Sequence, residues 1–307
     1  MLLNTLYSAP QAWLLLAEDN GYFSRAGIHI DLTTGAGAYT TASRMAAEGF
    51  DLGYGDINAL VELTACRPGP APMGIFMMFN ESPAAIAVRA GGRFRKPADL
   101  PGKTIIGHSS DVALRTFPAL CASAGIESTR VTCKEAPGGL ADLVHTMLGC
   151  DDIDGVFGYV STISAALKAQ GIDAAEKLRF IKYADHAPDL YGSCLMASQR
   201  MISEEPATLA AFVRAARLGL RDALADPGAA LDAVARRKPE MDRNAEALRL
   251  RTTLELEMRA MSNGTVTTGD IHDERMKRAI ALHLDGKPLI RVPRPDEVFT
   301  NRFLCSV

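Results

Sequence analysis

The chain has 307 residues, 33 of them basic and 36 acidic, for a formal net charge of −3; 48% are hydrophobic and 22% charged. This balance fits a globular protein of about two domains that buries roughly 75% of its unfolded surface, and it excludes a mostly disordered chain. No basic field is present to neutralise phosphates, so no nucleic-acid partner is expected, and no apolar run approaches the length of a membrane-spanning helix.

Residues 1–10 lack a basic segment leading into a long apolar stretch, so no export leader is expected in the sequence as it stands. The six cysteines, Cys66, Cys121, Cys133, Cys150, Cys194 and Cys305, form no C-x-x-C pair and no Cys/His cluster. They read as dispersed free thiols, and neither a metal nor a cofactor is expected.

In chain order, an apolar run over 2–7 is followed by a helix over 11–20 that the Gly21-Tyr22-Phe23 step interrupts. A strand is predicted over 28–33, a turn at Gly35-Ala36-Gly37, a helix over 39–48 and a strand over 51–54, with Asp56 placed to cap a helix reaching 64. Apolar strands follow over 73–79 and 84–89, separated by Asn80-Glu81-Ser82-Pro83. The middle repeats this logic: strands over 104–107, 130–135, 153–157, 178–183 and 193–197, with helices over 111–124, 137–148 and 161–170. Beyond 198 the pattern is helical over 206–225, 227–237, 244–261 and 270–284, punctuated by Asp226-Pro227 and Lys238-Pro239. Strands separated by helices predict an α/β fold with parallel pairing. Two such blocks imply two lobes, residues 1–82 with 190–307 and residues 83–189, with the chain crossing twice between them.

Several of these pieces occur together in an ordered set. Gly21-Tyr22-Phe23, Ala26-Gly27-Ile28 and Gly35-Ala36-Gly37 are followed by Gly49-Phe50-Asp51-Leu52-Gly53 with Asp56, and then by Pro97-Ala98-Asp99-Leu100-Pro101-Gly102-Lys103. The set resembles the SsuA/TauA/thiamine-pyrimidine-precursor-like family of solute-binding proteins of ABC importers, over most of the chain. The resemblance implies a two-lobed type II periplasmic-binding-protein-like fold, hinged at two crossings, with a small solute in the cleft. It also implies an ABC permease as partner, a monomer, and a periplasmic location; with no leader in view, a cytoplasmic location stays open.

Ligands of open α/β sheets bind beyond the carboxyl ends of the strands, where helices begin. The candidate ligand-binding residues are therefore taken from those loops and the crossings: Gln11, Trp13, Gly37, Ala38, Tyr39, Tyr54, Asp56, Asn80, His108, Ser109, Ser110, Gly138, Gly139, Tyr159 and Tyr191. Trp13 reads as a stacking wall or as a core anchor, Asp56 as a helix cap or an acceptor for an amine, and His108 as an anion donor or a structural residue. Ser109, Ser110 and Asp111 divide between cap and ligand roles. The chosen loops hold no lysine or arginine, which favours a neutral or amine-bearing aromatic or heterocyclic, pyrimidine-like solute over a sulfonate or nitrate. Two other functions stay open: an enzyme of the pyrimidine-precursor synthesis type, for which no cysteine run, G-x-S-x-G or H-E-x-x-H motif is present, and a stand-alone ligand-sensing domain.

Overall fold

Short runs of buried residues set the strands of the computed structural model, which describes all residues except 68, 259–260, 263–264, 267–268 and 305–307. Cys305 therefore lies outside the described residues. In chain order the longer strands are β1 (Leu52–Asp56), β2 (Met73–Met77), β3 (Ala84–Arg89), β4 (Thr104–Gly107), β5 (Thr132–Glu135), β6 (Gly155–Tyr159), β7 (Leu178–Lys182) and β8 (Ser193–Ala197). They form a mixed α/β architecture with two main sheets, ordered β1-β8-β2 and β5-β4-β6-β3-β7.

The predicted parallel pairing holds only in part. β4 runs parallel to β5 and β6, whereas β3 is antiparallel to both β6 and β7, and β8 is antiparallel to both β1 and β2. β3 and β8 are the strands the chain enters from the other sheet. No crossover helix within one sheet fixes their direction, so the parallel rule for β-α-β units does not apply to them.

The strand predicted over 28–33 is reduced to one bridge between Thr33 and Leu2, and Leu2 also bridges Gly53 at the edge of β1. Only Ile30 of that segment is buried, too little apolar surface to hold a ladder. The helix predicted over 111–124 is two helices, Val112–Arg115 and Phe117–Ser123, with Pro118 in the first turn of the second. The helix predicted over 244–261 runs as Arg243–Thr252 and then widens into a π-helical turn, Thr253–Glu257.

The helix Pro206–Ala225 was legible to the residue. It buries Leu209, Phe212, Val213, Ala216 and Leu220 on one face, and packs that face on the helix Ala12–Asp19. The contact is close because Gly219 has no side chain: a Cβ there would stand 2.3 Å from the Trp13 carbonyl oxygen.

The chain passes from β2 to β3 through residues 78–83 and returns from β7 to β8 through residues 183–192. The helix Asp273–Leu284 fastens both passages. Arg275 donates to the Asn80 carbonyl and, at 3.2 Å, to the Leu190 carbonyl, while its guanidinium lies 3.9 Å from the Tyr191 ring centre. Arg278 adds an ion pair to Asp189 at 2.9 Å. Separate apolar cores back the two sheets, one around Trp13, Tyr54, Ile75 and Phe212, the other around Ile86, Ile105, Phe117 and Phe157. Among the described residues no helix is long and apolar enough to cross a membrane.

Candidate functional site

Loops from both sheets converge on a cavity of about 350 Å³. The first sheet's side supplies Asn4, Thr5, Pro10 and the 35–38 turn; the second supplies His108, Ser110 and Asp111 after β4, and Tyr159 at the end of β6. Phe79 and Ser193 stand at the ends of the two crossings, and Arg249 and Glu257 enter from the C-terminal helical segment.

Of the candidate residues, Gly37, Ala38, His108, Ser110 and Tyr159 share this lining, together with Asp111. Gly37 has φ +128°, a backbone favouring glycine, and a Cβ there would stand 3.1 Å from Ser110 Oγ. The loops of the two sheets therefore touch at Gly37 and Ser110. His108 Nε2 donates to the Gly138 carbonyl at 2.7 Å, and Gly139 N donates to Asp142 at 3.0 Å. Gly138 thus braces the His108 loop and Gly139 caps its own helix start, and neither joins the lining.

The other candidates lie behind the wall or beside it. Gln11 is fully buried and donates to Asn4 Oδ1 and, at 2.7 Å, to Thr5 Oγ1, so it holds two residues that do line the cavity. Trp13 is a core anchor: 1% exposed, it donates to the Pro10 carbonyl at 3.0 Å and meets Tyr54 edge-on at 5.7 Å. Its stacking role is not supported, because every residue from Ala12 to Ala17 is buried and the indole points into that core. Tyr54 is fully buried in β1.

Asp56 caps the helix Ile57–Cys66, accepting from Asn58 N at 2.9 Å and Asn58 Nδ2 at 3.0 Å. Asn80 and Tyr191 sit at the crossings under Arg275, off the lining. Tyr39 and Ser109 line an adjacent cleft of about 410 Å³ with Glu62 and Arg115, and the Tyr39 hydroxyl donates to Glu62.

Among the lining residues outside the loops chosen from the sequence, two are charged. The loops chosen there hold no basic residue, yet the cavity has Arg249, brought in by the helix Arg243–Thr252 as it packs on the helix Val160–Lys168. Glu257 follows on the π-helical turn, and both of its oxygens are held: Ser161 N donates at 2.8 Å, Ser161 Oγ at 2.7 Å and Thr253 Oγ1 at 3.3 Å. The faint signal was a carboxylate and a threonine, four residues apart, next to the buried stripe Leu250, Leu254, Met258.

Burial sets the ionisation of the acids in and behind the cavity wall. Burial pushes the Asp56 carboxyl up to about 6 and the Asp111 carboxyl up to about 6. Burial also raises Glu257, against the hydrogen bonds from Ser161. The Tyr159 hydroxyl is held far above its ordinary range by burial and then by the fields of Asp56, Asp111 and Glu257. Among the described residues Tyr159 Oη, Tyr54 Oη, Asp56 Oδ2 and Arg249 Nε are buried without a protein partner. Of these, Tyr159 and Arg249 belong to residues that line the cavity, whereas Tyr54 and Asp56 lie behind its wall.

The overall fold is shared with solved structures. The ligand-binding component of an ABC-type import system from Staphylococcus aureus, solved with zinc bound, superposes with a TM-score of 0.68 at 13% identity, over 99% of this chain and 97% of that one. The alkanesulfonate-binding protein SsuA from Xanthomonas axonopodis pv. citri, bound to MOPS, gives 0.68 at 14% identity over 97% and 96%. A DszB mutant in complex with biphenyl-2-sulfinic acid gives 0.64 at 14% identity over 99% and 97%. At such identities the likeness establishes the fold, that of periplasmic binding proteins. No curated protein matches the chain. The family model described as NMT1/THI5 like matches residues 10–230, and the chain belongs to that family.

Proposed function

We propose that this protein is the solute-binding component of an ABC importer, taking a small organic molecule into the cavity between its lobes. The carrying observation is one cavity lined from both sheets, with buried polar atoms in and beside its wall that have no partner within the protein. Family membership and the fold shared with import components support the reading.

The lobes are residues 1–82 with 190–307 and residues 83–189, a division supported by the two sheets and the two passages joining them. Ligand completes the polar contacts and favours the closed arrangement, which an ABC permease in the membrane reads. The working form is a monomer in the periplasm. The ligand is an aromatic or heterocyclic molecule, as the volume and the mainly apolar wall of Leu6, Phe79, Val112 and Leu140 favour. A sulfonate is the second reading, favoured by Arg249 on the lining. No described cysteine is on that lining, so nothing there favours thiol chemistry over binding.

The test is a thermal-shift screen of pyrimidines, other heterocycles, aromatic carboxylates, sulfonates and nitrate, followed by calorimetry. A ligand that binds only the folded chain raises Tm by RT ln(1 + [L]/Kd). One class raising Tm, with a one-to-one stoichiometry and no turnover, supports the reading. No shift by any class, or conversion of a bound compound, overturns it.

A further inference from the structure

If the protein is a solute-binding component, the two charges that escaped the sequence reading narrow the chemistry of its solute. Arg249 reaches the cavity from the helix Arg243–Thr252. Its Nη1 donates to Glu246 Oε1 at a long 3.4 Å, and its Nε is buried with no protein partner among the described residues. Glu246 is itself held in place, because Ala9 N donates to its Oε2 at 2.7 Å. The guanidinium is therefore oriented and only partly satisfied.

Elsewhere on the same lining stand Asp111 and Tyr159. Asp111 Oδ1 accepts from Ala113 N at 2.8 Å as a helix cap, and the residue lines the cavity. The Tyr159 hydroxyl is buried and unpartnered. Glu257, the other lining acid, has its oxygens held by Ser161 and Thr253 and is not the acid in need of a partner. Among the described residues no ion pair joins Arg249 to Asp111.

We infer that the cavity selects a bipolar solute, with an oxygen acceptor such as a carboxylate or carbonyl against Arg249 and a nitrogen donor against Asp111 and Tyr159. A solute with only an anionic group meets Arg249 and leaves Asp111 desolvated beside it. A simple cation does the reverse. One molecule carrying both groups meets both poles at once, giving Arg249 a further acceptor and Asp111 a donor.

Calorimetry at pH 7.5 with four ring compounds of similar size tests this: 4-(aminomethyl)benzoate, benzoate, benzylamine and benzenesulfonate. The expected result is binding of 4-(aminomethyl)benzoate at least tenfold tighter than any of the other three. Arg249→Met then erases its advantage over benzylamine, and Arg249→Lys keeps part of it. Asp111→Asn, which retains a helix-capping side chain, erases its advantage over benzoate. Failure of 4-(aminomethyl)benzoate to bind, equal binding of any single-pole compound, or unchanged ratios in these variants overturns the inference. If benzenesulfonate alone binds, the solute-binding reading stands and the bipolar one falls; if the full solute panel also gives nothing, both fall.

Discussion

The Glu257 carboxylate receives both the backbone N–H and the hydroxyl of Ser161, at 2.8 and 2.7 Å. Ser161 opens the helix Val160–Lys168 after β6, in the second sheet's half. Glu257 belongs to the turn that follows the helix Arg243–Thr252, in the chain's return from β8. The bond therefore fastens the C-terminal segment to the opposite sheet. It also gives a free N–H at a helix start an anionic acceptor, the arrangement the helix dipole favours.

Glu257 is only 6% exposed, so its removal takes the acceptor from a buried Ser161 N–H. Glu257→Ala is expected to lower the unfolding free energy by about 2–3 kcal/mol, and Glu257→Gln by less, because an amide oxygen still accepts. Urea denaturation at pH 7 measures both. An unchanged midpoint in Glu257→Ala means the contact carries no stability.

Asp56 gives a pH dependence with a definite sign. Burial raises its carboxyl from 3.8 to about 6, so between those values the folded chain holds a proton that the unfolded chain has released. Stability from this group is fully present below about pH 3.8 and is lost as pH rises through about 6. The loss is of order 3 kcal/mol. Asp56→Asn keeps a capping oxygen and removes the titration. Its stability relative to the parent should therefore climb by about 2–3 kcal/mol between pH 4 and pH 7. Urea melts at four pH values supply the difference, and a flat one rejects the assignment.

How much of this was legible in the sequence depended on whether a local signal matched a local cause. The helices Pro206–Ala225 and Pro227–Arg237 were, because proline at the first position and apolar spacing act within one element. The strands Ala84–Arg89, Thr104–Gly107 and Ser193–Ala197 were legible for the same reason. The direction of β3 and β8 was not, since it depends on which sheet the chain is leaving. In the site, Gly37, His108 and Ser110 were reachable from the rule that ligands gather after strands. Arg249 and Glu257 were not: their helical segment has an ordinary pattern, and packing on the helix Val160–Lys168 decides which of its side chains meet the cavity.

Gly37 tests whether the contact between the two loop sets matters. Its φ of +128° and the 3.1 Å approach to Ser110 Oγ both oppose a side chain. Gly37→Ala is expected to cost about 1–2 kcal/mol from backbone strain alone and to push the 35–38 turn off Ser110. Adding Ser110→Gly should recover the steric part and leave the strain. Small-angle scattering of the ligand-free variants reads the separation of the lobes; an unchanged radius of gyration in Gly37→Ala argues that the loops do not control closure.

Trp13 separates a packing role from a binding role. The indole is 1% exposed, sits against Tyr54 at 5.7 Å and is the chain's one tryptophan, so its fluorescence reports the core of the first sheet. Trp13→Ala is expected to cost about 3–5 kcal/mol, the range for removing a large buried aromatic. Trp13→Phe should cost less and, once folded, bind solute as the parent does, because Pro10 rather than the indole faces the cavity. Thermal denaturation and calorimetry on the two variants give both quantities. A folded Trp13→Phe that has lost its solute would place the ring in the site after all, and an undiminished Tm in Trp13→Ala would remove it from the core.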